Sequence, residues 1–234
     1  MVKYHPDVRY LTDYSAGSLP QSQALCVATH LHYCNSCKAR VRELNELGTV
    51  LFTRQQPVAV ESAAFDNLLS RIHSDADHKP EQPASVPSRD SARQSTQSTL
   101  PRAIAKLCKD NLDSLNWQSI GKQFRFAQLK LGDRQRETSL LHIKAGGAVP
   151  RHRHRGDEIT VVLQGSFSDQ EDKYNIGDFI VRTHGEIHRP VASQDEDCLC
   201  LSTLDAPIQM SNWLLRLLMP FFNKQPGQRS ASFG

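Results

Sequence analysis

No stretch of this 234-residue chain approaches the run of about 18 consecutive apolar residues that a membrane-crossing helix needs. Its first ten residues, MVKYHPDVRY, lack the apolar core of a secretory signal. The expected location is therefore cytoplasmic, without membrane contact. Charge of one sign is not in excess either. A formal net charge of +3 is too mild, and no basic stripe exists, for direct nucleic-acid binding. Apolar side chains make up only 38% of the residues, so part of the chain is expected to stay unpacked. Six cysteines in a cytoplasmic chain point to metal binding or redox chemistry rather than to disulfides.

The most informative stretch is 146–165, GGAVPRHRHRGDEITVVLQG. His152 and His154 stand at i and i+2, on one face of a strand, and Glu158 reaches the same point if the chain turns at Gly156. Arg151, Arg153 and Arg155 alternate with the histidines. If the arginines face water, the histidines face inward, where unpaired polar groups are costly. Two neutral imidazoles and a carboxylate suit Zn2+, Mn2+ or Fe2+. A fourth ligand is expected from a later strand, and His188 in GDFIVRTHGEIHRP is the candidate. His184 beside it reads as a group behind the ligands or a surface residue.

The first third reads as helices at about 7–15, 21–33, 36–52 and 61–73, separated by Gly17 and Pro57. The third carries Val41, Leu44, Leu47 and Leu51 on one side. The fourth carries Phe65, Leu68, Leu69 and Ile72 at i, i+3, i+4 and i+7, an apolar face suited to a partner's groove or to an internal core. Between helices two and three, HLHYCNSCK places His30, Cys34 and Cys37 at i, i+4 and i+7. Two thiolates and an imidazole make a structural zinc set. A Cys-x-x-Cys redox pair and plain core packing are the competing readings. Spacing alone leaves the fourth ligand open among His5, Cys26, His32 and a partner's residue.

Residues 76–100 are rich in Ser, Asp, Gln and Pro and read as a flexible linker. Beyond Pro101 the period becomes two. Phe124, Phe126 and Leu129 open an expected strand, and further strands are expected at 137–143, 159–164, 178–181, 189–192 and 198–204. Many short, evenly spaced strands suit a double-sheet jelly roll. Cys198 and Cys200 share one strand face, as core or as an oxidisable, signalling pair. Residues 213–222, WLLRLLMPFF, are too short to span a bilayer and are expected to pack on the barrel, with 223–234 a frayed tail.

Two resemblances follow from these motifs. Gly146, His152, His154, Glu158 and Gly165 match every position of the first cupin motif. Gly177, Gly185 and His188 match the second, with Thr183 and Ala192 in place of its proline and asparagine. The His-x-x-x-Cys-x-x-Cys between N-terminal helices resembles zinc-binding anti-sigma domains, where an upstream histidine completes the site at the position of His5. Zinc-binding domain, linker and cupin together resemble the ChrR-type anti-sigma factors. That resemblance implies an α+β, two-domain chain: a small all-α zinc-binding domain (1–75), linker (76–100), an all-β cupin (101–222) and tail (223–234). It implies an ECF-type sigma factor as partner and zinc at His5, His30, Cys34 and Cys37. It implies Zn2+ (or Mn2+ or Fe2+) at His152, His154, Glu158 and His188, serving a response to singlet oxygen or related oxidative stress. The expected role is regulatory rather than enzymatic. The runner-up is a cupin-type dioxygenase or isomerase, although no separate nucleophile or acid–base pair stands near the motif.

Overall fold

The computed structural model describes residues 2–59, 61–76, 100–109, 111–133, 136–206 and 208–210. The expected linker at 77–99, the apolar segment 213–222 and the tail lie outside the described residues. Four helices come first: α1 (Val8–Ser15), α2 (Gln21–Tyr33), α3 (Asn35–Thr53) and α4 (Ser62–Ala76), and a short α5 (Arg102–Leu107) precedes the strands. Asp7 caps α1 by accepting from the Arg9 N–H. Cys34, with extended backbone, ends α2 and lets α3 begin in a new direction one residue later.

The strands are β1 (Trp117–Ile120), β2 (Phe124–Leu129), β3 (Glu137–Ile143), β4 (His152–Arg153), β5 (Glu158–Gln164), β6 (Ser166–Ser168), β7 (Lys173–Asn175), β8 (Phe179–Arg182), β9 (Ile187–His188), β10 (Val191–Ala192), β11 (Cys198–Leu204) and β12 (Gln209–Met210). They form a six-stranded antiparallel sheet, β1-β2-β3-β11-β5-β8, and two three-stranded sheets, β10-β6-β7 and β12-β4-β9. A helical N-terminal region followed by a region of antiparallel β-sheets is thus the fold class, as expected.

The central strands do not alternate between a buried and an exposed face. β5 is buried from Glu158 through Leu163, and β11 from Cys198 through Thr203. Both faces of the large sheet are covered at these two strands, which yields near-continuous burial instead of a polar side. One face packs Ile159, Val161, Leu163, Leu199 and Leu201 with Val27 and Leu31 of α2 and Tyr10 and Leu11 of α1. The other packs Val162, Cys198 and Cys200 with Phe124, Phe126, Phe167 and Tyr174. Accordingly the described residues within 1–48 and 100–234 group as one compact unit and those within 49–99 as a second.

Gly177 shows why glycine stands at one motif position. Its φ is +88°, and a Cβ there would lie 2.6 Å from Tyr33 Cβ and 2.8 Å from Val2 Cγ2. The helical segment approaches the barrel backbone too closely for any side chain.

Leu201 is fully buried where α2 meets the sheet. Leu201→Ala is expected to cost about 2–5 kcal/mol, read from urea unfolding of the metal-loaded chain. Leu47→Ala, at an exposed site, is expected to stay within about 0.5 kcal/mol.

Candidate metal centres

The first cluster lies where α2 ends. His30 stands in the last turn of α2, Cys34 at the junction, Cys37 in the first turn of α3, and His5 in the segment before α1. One ligand atom from each falls within 4.8 Å of all the others. Cys34 Sγ is 3.4 Å and Cys37 Sγ 3.5 Å from His5 Nδ1. Sulfur and nitrogen ligands of one tetrahedral zinc stand about 3.5 Å apart, given bond lengths of about 2.3 and 2.05 Å. His30 Nδ1 lies 2.7 Å from the Gly177 carbonyl oxygen. Only an Nδ1–H can donate there, which leaves the lone pair on Nε2. That Nε2 is buried with no hydrogen-bond partner among the described residues. A buried orphan acceptor beside two thiols suits a cation.

Electrostatics agree with neutral imidazole and an activated thiol. Burial holds His30 down at about 4. At Cys34 burial works upward, but hydrogen bonds from Ser36 and the Cys37 N–H outweigh it and lower the thiol. Burial, then the neighbouring Cys34, push Cys37 up to about 12. Of the other expected candidates, Cys26 is fully buried and pushed up to about 12 by that burial, and His32 packs edge-on against Tyr33. Neither belongs to the cluster.

The second cluster sits inside the barrel. β4 pairs with β9 so that His152 stands opposite His188. His154 follows β4, and Glu158 opens β5. Arg151, Arg153 and Arg155 are exposed while His152 and His154 are buried, as the alternation implied. His188 Nε2 lies 2.9 Å from His152 Nε2 and 3.0 Å from His154 Nε2. Glu158 Oε2 lies 3.5 Å from His154 Nε2 and 3.9 Å from His188 Nε2. Three Nε2 atoms converging in this way cannot all pair through protons. Bound to one tetrahedral ion they would stand about 3.3 Å apart.

The ligands are held from behind. His152 Nδ1 meets the Pro150 carbonyl at 2.9 Å, His188 Nδ1 meets Asp169 Oδ2 at 3.2 Å, and Ser202 Oγ donates to Glu158 Oε1 at 2.5 Å. Burial, then His188, hold His152 at about 4, and burial lowers His154. Burial pushes Glu158 up, but the three histidines and Ser202 pull it below its ordinary value. The arrangement is a buried carboxylate with neutral imidazoles. His184 is exposed and plays no part.

Beside the cluster lies a cavity of about 80 Å³ available to the centres of water-sized molecules. Residues of all three sheets line it, among them Phe126, Leu141 and Phe167, with His152, Glu158 and His188 on its wall. Cys200 also faces it. Its Sγ lies 3.6 Å from Cys198 Sγ; that contact and burial raise Cys200 well above the usual thiol range. Both cysteines are buried, and Cys200 is a neutral thiol rather than a reactive thiolate.

Comparison with known proteins places this arrangement. Residues 109–206 match the ChrR cupin-like domain. The anti-sigma-E factor ChrR of Cereibacter sphaeroides is 34% identical over 224 residues, covering 94% of this chain and 98% of that protein. The chain belongs to the ChrR family. The crystal structure of Rhodobacter sphaeroides SigE in complex with the anti-sigma ChrR matches at a TM-score of 0.71 and 31% identity, over 87% of this chain and 99% of that one. Within the ChrR framework the residues that sequence reasoning missed are Asp169, Ser202 and the Gly177 carbonyl. Ser202 has a weak signal, as a polar residue at alternate spacing from Cys200 on β11. A backbone carbonyl has none.

If both clusters bind as built, the purified chain carries two divalent ions. Cys37→Ser and His188→Ala are each expected to lower the count to one by elemental analysis, at different centres. The metal-stripped chain is expected to lose stability as pH falls from about 6.5 toward 4. The unfolded chain takes up protons at the ordinary histidine value of 6.5, whereas folded His30 and His152 resist them down to about 4. Urea midpoints of chelator-treated protein between those pH values check this, and a flat profile would contradict buried neutral histidines.

Proposed function

We infer that this chain is an anti-sigma factor that holds an ECF-type sigma factor, and that its exposed helical face makes the contact. The observation carrying this is the state of α4. Every described side chain on it is exposed, including Phe65, Leu68, Leu69 and Ile72 at 56, 52, 37 and 54%. The apolar stripe of α3 divides similarly: Val41 is buried, while Leu47, Val50, Leu51 and Phe52 are exposed. Apolar helix faces of this length left to water mark a binding surface. The related ChrR was crystallised in complex with SigE, which supports a sigma factor as the occupant.

In this reading His5, His30, Cys34 and Cys37 hold zinc, because two thiolates and two imidazoles form a closed tetrahedral set with structural chemistry. His152, His154, Glu158 and His188 hold Zn2+, or Mn2+ or Fe2+, in a cupin centre required for the response to singlet oxygen or related oxidants. Cys198 and Cys200 stay with the barrel core, or signal only once something exposes them. The organisation is a zinc-binding helical region at 1–75, a linker at 76–100, a cupin at 101–222 and a tail at 223–234. No helix among the described residues is long and apolar enough to cross a membrane, and a partner that works on RNA polymerase supports a cytoplasmic location. The dioxygenase or isomerase reading would rest on the cavity beside the cupin centre, and the family assignment does not favour it.

Leu68→Glu and Phe65→Asp are expected to weaken binding of the cognate ECF sigma factor at least about tenfold, roughly 1.4 kcal/mol, while both metals stay bound. His188→Ala is expected to keep sigma binding and blunt its release under singlet oxygen, followed with a sigma-dependent reporter. Unchanged affinity in both α4 variants would move the interface elsewhere.

A further inference from the structure

The two candidate centres belong to one compact unit, and a series of side-chain contacts runs from the second to the residue next to a ligand of the first. It starts at His188, whose Nδ1 lies 3.2 Å from Asp169 Oδ2. The same carboxylate oxygen accepts from Arg182 Nη2 at 2.8 Å. That nitrogen also donates to the Tyr174 hydroxyl at 2.6 Å. The Tyr174 ring packs on the Tyr4 ring with centroids 5.0 Å apart. Tyr4 is the residue before His5.

A second arm runs along the backbone. Arg182 ends β8, and Phe179 begins it. The Phe179 N–H donates to the Tyr4 carbonyl at 3.0 Å, and the Phe179 ring stands edge-on to His30. Asp178, fully buried, accepts from the Tyr4 N–H at 3.0 Å and the Asn175 N–H at 2.8 Å through its two oxygens. Gly177 supplies the carbonyl that orients His30. Both histidines of the first centre are therefore seated on β8 and the turn before it.

We propose that Arg182, with Asp169, Tyr174 and Tyr4, positions ligands of both centres at once, so that occupancy of one centre sets the metal affinity of the other. This rests on the reading that both clusters bind metal. The reason is the cost of breaking the series in the middle. Asp169 and Arg182 side chains are 1% and 9% exposed. Buried ionic partners must move together, because separating them leaves an unpaired charge in a poorly polarisable interior. A metal that fixes His188 fixes Asp169, and through it the side chain that ends β8. Arg182 is further tied to Glu171 at 2.8 Å, so its guanidinium has little freedom to absorb a shift of His188 locally. The strain passes instead to Tyr174 and the N-terminal segment. Tyr4 also hydrogen-bonds Asp172 through its hydroxyl, but the series uses its ring.

The test measures zinc affinity at each centre of the full chain by competition with a chromophoric chelator. His152→Ala vacates the cupin centre without touching the series, and Cys37→Ser vacates the first. In the wild-type background, vacating either centre is expected to weaken the other by the same factor, about fivefold or more, since coupling free energies are reciprocal. Tyr4→Ala, which removes the ring and leaves only the backbone arm, is expected to bring that factor closer to one. Tyr4→Phe, which keeps the ring, is expected to retain it. Tyr174→Phe, which loses only the hydroxyl, is expected to reduce it. A merely structural role for Tyr4 would lower both affinities and leave the factor unchanged, and that result would overturn the proposal. So would wild-type affinities indifferent to the other centre. A wild-type chain that binds a single ion would sink the two-centre reading itself, and shows before any coupling is measured.

Discussion

In the six-stranded sheet, β5 and β11 have no face left for water, and the rest of the described architecture follows from that. Its inner face closes against the two small sheets and encloses the cavity and the second cluster. Its outer face is covered by α1 and α2, whose side chains share one core with Ile159, Val161 and Leu201. A sheet buried on both sides ties the helices to the barrel by hydrophobic burial, the largest favourable contribution to folding. The first centre is then assembled against the barrel rather than apart from it, since His30 is oriented by a carbonyl of the β7–β8 turn.

The same covering is uneven along the helices. α2 is consumed by the core, with Cys26, Val27, Thr29 and His30 fully buried. α3 is packed only at its start, and α4 buries none of its described side chains. The apolar side chains that close the core and those left exposed on α3 and α4 are thus different residues. The apolar surface needed to close the barrel is spent inside, and that left at 47–72 is available outside.

Polar groups are buried in both centres for a comparable reason, all four in the second and all but the exposed His5 in the first. Imidazoles in a dry interior stay neutral, with His30 and His152 held at about 4, so their lone pairs are free for a cation at neutral pH. The carboxylate of Glu158 stays charged because three imidazoles and Ser202 face it. Where a buried charge has no ligand role, as in Arg182, it is matched by Asp169.

Local spacing by itself determined a good deal. α2 and β3 fall at the expected residues, and α1, α3, α4 and β5 differ by one to three at an end. His152 and His154 were legible because strand geometry puts i and i+2 on one face, and Cys34 and Cys37 because one helical turn joins them. Strands β6, β7 and β12 were not legible, since two or three residues carry no period. Spacing left the distant partners of each centre open, the family resemblance named His5, and tertiary structure alone supplied the groups behind the ligands. His5 joins Cys34 across 29 positions, Asp169 backs His188 across 19, and Gly177 orients His30 across 147. No periodicity relates such pairs. They meet because burying both faces of one sheet brings the N-terminal segment, α2 and the β7–β8 turn to the same place.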